Sequence, residues 1–160
     1  MSLSTVKYSR IIDLNKQHWH ISMLFNMHQK RLMHGDNTRA FDILKELKNY
    51  ITSHMKAEND YLFPLYKKYV SSIPTGGAVE YFINEHHKIN RFMEEFTGKF
   101  SRLKKSEIDM VKLFDIHYRF KHLLDHHHSR EDTFLFRLLD KVLDKKDKNE
   151  VLQRFSFKQS

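Results

Sequence analysis

Residues 54–63 read HMKAENDYLF, and residues 127–136 read HHSREDTFLF. In both stretches a histidine is followed four positions later by a glutamate, and four positions after that by Leu-Phe. Residues four apart on an α-helix lie about 40° apart around the axis and about 6 Å apart along it, so both side chains can reach one metal cluster. The repeat therefore predicts two helices that each present an imidazole and a carboxylate to the same site.

The sequence around these stretches has the apolar period of helices. Apolar residues recur every three or four positions in four segments of about 25 to 35 residues. Glycines and short polar residues separate the segments: 34–37, 71–77, Gly98 and 104–106. Residues 36–38 offer N-cap oxygens to the second segment, and Ser106 with Asp109 resembles a capping box for the fourth. Four helices with short connections predict an all-α fold, an antiparallel up-down-up-down four-helix bundle.

Two local features qualify this bundle. Pro64 lies inside the second predicted helix and should kink it, because proline lacks the N–H that the helical ladder needs. After about Lys141 the chain is charged and weakly periodic, which predicts a short frayed helix. We expect one domain over residues 1–160, with a core at about residues 8–143 and a charged C-terminal tail.

Six ionisable residues interrupt the apolar faces of these helices: His18, His54, Glu58, His86, His127 and Glu131. Burying such a residue costs several kcal/mol unless it is paired or bound. The first and third segments also match, because Gln-His at 17–18 and Glu-His at 85–86 are each followed by isoleucine three positions after the histidine. The chain therefore divides into two similar halves, and antiparallel packing would bring four imidazoles and two carboxylates to one level of the core.

The donor types predict the kind of metal. The chain has 12 histidines and no cysteine, which excludes zinc fingers, cysteine-held iron–sulfur clusters and thiolate nucleophiles. Nitrogen and oxygen ligands without sulfur suit Fe, Mn or Zn. Carboxylates that can bridge favour a pair of metal ions.

The adjacent histidines at 126–128 point about 100° apart on a helix, so one of them faces the core squarely. His127 is in register with Glu131, and we predict that His126 and His128 are incidental to the site. His86 is preferred to His87 because its apolar neighbours share its face.

The other histidines are assigned by their distance from this level. His28 continues the first apolar face but lies about 15 Å beyond His18, so it is predicted to be a core histidine with a local partner. The remaining four are predicted to be solvated or at the boundary: His20, His34, His117 and His122.

Over about residues 10–140 these motifs resemble those of the hemerythrin-like, or HHE cation-binding, family. The resemblance implies a non-haem di-iron centre, and the donor types also admit Mn or Zn as substitutes. Two Fe ions would be bridged by Glu58 and Glu131 and by an oxo or hydroxo group. The terminal ligands would be four histidines: His18, His54, His86 and His127. An open coordination position would bind O2 or NO.

The chain departs from the oxygen-carrying members of that family on the third helix. Those proteins have two histidines one turn apart, whereas the positions four residues either side of His86 are Phe82 and Asn90. A water or another side chain would have to complete the site. This departure favours sensing, peroxide or NO chemistry, or iron handling over reversible O2 carriage.

We predict a cytoplasmic di-iron protein that binds O2 or a related diatomic in storage, sensing or iron handling, rather than a dedicated enzyme. Two alternatives stay open: a di-iron enzyme acting on NO or peroxide or in iron-centre repair, and a structural or interaction bundle without metal. The net charge of +8 could attract nucleic acid, but acids are interleaved with bases along most of the chain, which argues against that partner. The lack of long apolar runs argues against a membrane span, and homodimer formation is left open.

Overall fold

The computed structural model describes residues 8–102 and 110–155, and these ranges contain helices and no strand. The α-helices are α1 Asn15–Met33, α2 Asn37–Ala57, α3 Phe63–Tyr69, α4 Val79–Arg102, α5 Met110–Arg130, α6 Arg137–Val142 and α7 Lys145–Arg154. A 3₁₀ turn at Ile11–Leu14 precedes α1. Two π-helical segments, Glu58–Leu62 and Glu131–Phe136, join α2 to α3 and α5 to α6. The prediction of an all-helical fold is confirmed.

The turn between α1 and α2 shows how the local sequence sets the helix boundaries. Gly35 adopts φ 71°, a left-handed conformation that favours glycine. Its N–H donates to the carbonyl of Leu32, and the next N–H, of Asp36, donates to that of Arg31, which together form a Schellman motif. The Asp36 side chain then accepts from the N–H of Arg39 and caps α2. The predicted break at residues 34–37 is confirmed.

The buried apolar residues form two clusters. Core I contains the 3₁₀ turn, the π-segment leucines and the aromatic residues Phe63, Tyr66, Phe82 and Phe136. Core II contains apolar residues of α1, α2, α4 and α5, with Phe25, Phe96 and Phe120 among them. A layer of buried histidines and glutamates separates the two clusters along the helices.

The order of these layers alternates from one long helical segment to the next. In the first segment Leu14 of core I precedes His18, and in the second Met55 of core II precedes Glu58. Phe82 of core I precedes His86 in α4, and Leu124 of core II precedes His127 in α5. Helix α1 packs against α2, α2 against α4, and α4 against α5.

The C-terminal tail is better ordered than the sequence pattern predicts. Asp144 caps α7 by accepting from the N–H of Asp147. Val151, Leu152 and Phe155 are buried in core I. The charged residues of α7 therefore form the outer face of a docked helix.

Two helix-end predictions have different outcomes. The third break is predicted at Gly98 and 104–106, but α4 continues through Gly98 to Arg102, so the helix ends later than Gly98. A single glycine costs about 1 kcal/mol in a helix, which the packing of a long amphipathic face can exceed. The capping box predicted from Ser106 and Asp109 lies outside the described residues.

His28 and His117 form a buried pair in core II. His28 Nδ1 donates to the carbonyl of Ala40 at 2.7 Å, which leaves its Nε2 to accept from His117 Nε2 at 3.2 Å. The expectation that His28 is a core histidine with a local partner is confirmed. The expectation that His117 is solvated is wrong, since it is 1% exposed. It lies in register with Leu113 and Leu124, a signal that the sequence already contained.

Within the described ranges, none of the helices combines the length and apolar character needed to cross a membrane. The cytoplasmic location stays a prediction.

The His28–His117 pair should make folding sensitive to acid. Burial and the neighbouring His28 lower the pKa of His117 to about 3, whereas an unfolded chain has a histidine pKa of about 6.5. Between these values the unfolded chain binds a proton that folded His117 does not, so the stability due to this group is lost as the pH falls from 6.5 toward 3.

We expect His117→Gln to be less stable than the wild type at pH 7.5. The difference should shrink by about 1.4 kcal/mol for each pH unit well below 6.5. Urea unfolding of the metal-free protein at several pH values measures this, with the exposed His122→Gln as control. A difference that stays constant with pH would contradict the prediction.

Candidate metal centre

The polar layer between the two cores contains two groups of potential ligands. One group is His18, His54, Glu58 and Glu131, and the other is Glu58, His86, His127 and Glu131. Within each group one donor atom per residue lies within 4.8 Å of the others. All six side chains are buried, and Glu58 and Glu131 belong to both groups.

The Glu58 carboxylate faces both groups, one oxygen to each. Its Oε1 lies 3.3 Å from His54 Nε2, and its Oε2 lies 3.4 Å from His86 Nε2. The two histidines come from different halves of the chain. Glu58 is therefore oriented as a bridge between the groups.

Glu131 has the corresponding arrangement on the opposite side. Its Oε2 lies 3.2 Å from His18 Nε2, and its Oε1 lies 3.0 Å from His127 Nε2 and 3.4 Å from His86 Nε2. The histidines thus form two pairs, His18 with His54 and His86 with His127. Each carboxylate directs one oxygen to each pair.

The histidines of the two His-x3-Glu motifs are oriented by residues that the sequence analysis did not assign to the site. His54 Nδ1 donates to Gln17 Oε1 at 2.7 Å, and His127 Nδ1 donates to Glu85 Oε2 at 3.0 Å. Because these oxygens only accept, each Nδ1 carries the hydrogen, and the Nε2 lone pair is free to face the centre. The matched Gln-His and Glu-His pairs were the sequence signal for both partners.

The other two histidines have outer partners from the opposite half of the chain. His86 Nδ1 donates to Asn59 Oδ1 at 3.1 Å. His18 Nδ1 lies 3.5 Å from Asp132 Oδ1. Asn59 and Asp132 directly follow the two glutamates, so the outer partners repeat with the same symmetry as the inner residues.

The two buried carboxylates strongly affect the titration of the centre. Burial and the nearby Glu131 carboxylate raise the pKa of Glu58 to about 7. Burial lowers the pKa of His18 and of His127, but adjacent carboxylates outweigh it and raise them to about 9 and about 10. Burial lowers the pKa of His54 well below its usual range. In the absence of metal, bound protons therefore balance part of the carboxylate charge.

Several buried polar atoms of the centre have no hydrogen-bond partner: His18 Nδ1 and Nε2, His54 Nε2, Glu58 Oε1 and Oε2, His127 Nε2 and Glu131 Oε2. An unsatisfied buried polar group costs about 1–3 kcal/mol. Most of these atoms face one another across the layer, and all are nitrogen or oxygen donors suited to first-row metal ions. The residues present therefore fit a metal centre.

Each glutamate lies at the start of a π-helical segment. The Phe63 N–H donates to the carbonyl of Glu58, five residues earlier, where an α-helix would use a residue four earlier. Pro64 follows directly, so the kink expected there takes the form of a π segment. The second segment, beginning at Glu131, has no proline, and its π geometry was not predicted. Such segments are frequent at functional sites because they redirect side chains.

The structure brings together the six residues predicted from the sequence, and their role as ligands stays a prediction. Of the three adjacent histidines, His127 alone is predicted to face the core, and this is wrong because His128 does so too. His128 is buried, and its ring stacks on that of His18 at 3.9 Å between centroids. His126 is exposed, as expected.

The positions that distinguish the third helix from that of oxygen carriers do not supply a ligand. Phe82 is buried and stacks on Phe63 with 5.6 Å between centroids. Asn90 is exposed. Neither position therefore brings a second α4 histidine to the polar layer.

Comparison with known proteins found a family match over more than half of the chain. The family described as hemerythrin HHE cation binding domain matches residues 10–105. The match includes His18, His54, Glu58 and His86 and ends before α5. No curated protein and no solved structure matches the chain significantly.

Replacing one buried carboxylate should stabilise the metal-free protein. We expect Glu58→Gln to raise the free energy of unfolding by about 1–3 kcal/mol, because a neutral amide of similar shape is easier to bury beside Glu131 than a second carboxylate. Chemical unfolding in the presence of a chelator measures this.

Asp60→Asn is a suitable control, because Asp60 is exposed on the same π segment. Its effect should stay within about 0.5 kcal/mol. A lower stability of Glu58→Gln with chelator present would contradict this interpretation. The interpretation is that the polar layer serves metal binding and destabilises the metal-free protein.

Proposed function

Because the chain belongs to the hemerythrin HHE cation-binding domain family, we propose that it binds a non-haem di-iron centre, which in turn binds O2 or a related diatomic such as NO. One observation carries the proposal: Glu58 and Glu131 each direct one oxygen toward each histidine pair. Two carboxylates in this arrangement suit a pair of cations better than a single one. Sensing, storage or iron handling are the roles we favour.

In this proposal each cation has two imidazoles of its own. His18 and His54 would hold one ion, and His86 and His127 the other, with Glu58 and Glu131 shared between them. The iron pair, when bound, would supply electrons to the diatomic. Hydrogen bonds to outer partners hold the imidazoles of His54, His86 and His127 with one nitrogen toward the centre.

The surroundings of the centre support a small ligand. The six side chains are at most 4% exposed. Phe136 stacks near His18 at 5.3 Å and Phe63 near His86 at 5.4 Å between centroids, so aromatic rings cover two sides of the layer. A diatomic molecule can reach such a site through side-chain fluctuations, whereas a large polar substrate cannot. With no second histidine on α4, one coordination position would be open to that ligand.

We also propose the up-down-up-down topology for the four long segments. The alternating order of core I and core II along successive segments supports it, because each segment passes through the polar layer in the direction opposite to the one before. A homodimer stays a prediction from the sequence.

The decisive experiment is metal analysis together with visible spectra. Protein purified after growth in iron-rich medium should contain about two iron ions per chain, as a carboxylate-bridged pair requires. Its spectrum should differ between anaerobic, aerobic and NO-exposed samples. Iron content well below one ion per chain, or spectra unaffected by both gases, would contradict the proposal. Turnover of NO or peroxide would instead favour the enzyme alternative.

Glu58→Ala and Glu131→Ala should each lose the two-iron form, since either change removes a carboxylate that both ions share. His87→Ala is the matched control, because His87 is adjacent to His86 but exposed. Iron content and Fe2+ affinity measure the effect. Two iron ions retained in either glutamate variant would show that the carboxylate does not bridge.

A further inference from the structure

The end of helix α7 is connected to the centre through the buried side chain of Gln17. Gln17 is 1% exposed and lies between α2 and the end of α7. Its Oε1 accepts from His54 Nδ1 at 2.7 Å, while its Nε2 donates to the carbonyl of Phe155 at 3.0 Å and to the hydroxyl of Tyr8 at 3.2 Å. The last turn of the C-terminal helix is thus one side chain away from a proposed ligand.

The chemistry of residue 17 is determined by both of its neighbours. His54 requires an acceptor, and the Phe155 carbonyl requires a donor. An amide provides both. A carboxylate would place an acceptor oxygen opposite the carbonyl oxygen, which is itself an acceptor. Gln17 is therefore suited to joining these two elements as well as to orienting an imidazole.

Glu85, the equivalent residue in the second half, has different neighbours. Its Oε2 accepts from His127 Nδ1 at 3.0 Å, and its Oε1 accepts from Arg130 Nε at 3.1 Å. Both partners are donors, so a carboxylate fits. Arg130 Nη1 donates in turn to the carbonyl of Gly76, in the loop before α4. The second half is thus supported by a loop, and the first half by the C-terminal helix.

We propose that Gln17 couples the docking of α7 to the position of His54, so that metal binding and docking of the C-terminal helix strengthen each other. This inference rests on the proposed metal-binding function. Gln17 acts as a positioning residue, since it touches His54 and not the metal. The apolar side chains of α7 that enter core I hold the Phe155 carbonyl in place.

Coupling between two such events is reciprocal. If docked α7 improves iron affinity by some factor, bound iron must stabilise docked α7 by the same factor. Couplings of this kind usually amount to about 5- to 150-fold. Loss of an outer partner of a metal-binding histidine usually lowers metal affinity about 10- to 100-fold.

The first test measures Fe2+ affinity of full-length variants under anaerobic conditions by competition with a chelator. Gln17→Leu removes both hydrogen bonds and should weaken binding about 10- to 100-fold. Leu152→Ala loosens α7 from core I without touching the centre and should weaken binding at least about fivefold. Leu32→Ala, an equally drastic truncation in core II, is the control and should leave affinity nearly unchanged.

A double-mutant cycle shows whether the effect passes through Gln17. In the Gln17→Leu background, Leu152→Ala should weaken Fe2+ binding no further, because the connection is already lost. Gln17→Glu keeps the acceptor for His54 and loses the donor to Phe155. It should therefore bind iron better than Gln17→Leu and become insensitive to Leu152→Ala. If Gln17→Leu does not fold, the double-mutant cycle with Leu152→Ala is measured with Gln17→Glu instead.

The reciprocal measurement is amide hydrogen exchange in α7. Fe2+ should slow exchange there by at least about fivefold in the wild type and have no such effect in Gln17→Leu or Gln17→Glu. Independent effects of the Gln17 and Leu152 changes, or equal α7 exchange with and without iron, would overturn the coupling while leaving the metal site intact. Wild-type protein that binds no Fe2+ would overturn the proposed function and the coupling together.

Discussion

The structure depends on two carboxylates that face each other in the middle of a helical core. Burying one charge between apolar layers is unfavourable, and burying Glu58 and Glu131 together is more so. Four imidazoles compensate in part; three of them have a hydrogen-bonded outer partner, and the fourth, His18, lies near Asp132. A polar layer therefore lies between cores I and II, and it consists of the two carboxylates, the four imidazoles and the residues that surround them. The apolar clusters supply the stability that this layer lacks.

The repeat in the sequence was sufficient to identify the inner layer but not its surroundings. His54 and Glu58 were identified because both lie on the apolar face of their predicted helix and are four residues apart. Gln17 was visible as part of a matched pair, yet its role depends on the direction of its side chain and on Phe155, which is remote in sequence. His128 was misjudged because a helix packed between several neighbours can bury residues 100° apart.

Helix periodicity also concealed the π segments. A pattern of apolar residues at three- and four-residue steps does not distinguish a bond to the fifth preceding residue from one to the fourth. Pro64 marked the first segment as irregular, but nothing comparable marks the segment at Glu131. Both segments begin at the residue that must direct its two oxygens to different partners. The π geometry therefore occurs where the two carboxylates are oriented. The remaining helical regions have the ordinary α-helical period.

The difference between Gln17 and Glu85 means that the two halves of the chain are no longer interchangeable. A glutamate at position 17 would confront a carbonyl, and a glutamine at 85 would leave Arg130 without its carboxylate. A protein assembled from two copies of either half would reproduce all six inner residues but not both of the outer supports, which are the Gln17–Phe155 and Glu85–Arg130 hydrogen bonds. An engineer who imposes twofold symmetry on this scaffold must therefore redesign the chain terminus and the loop before α4 along with the centre.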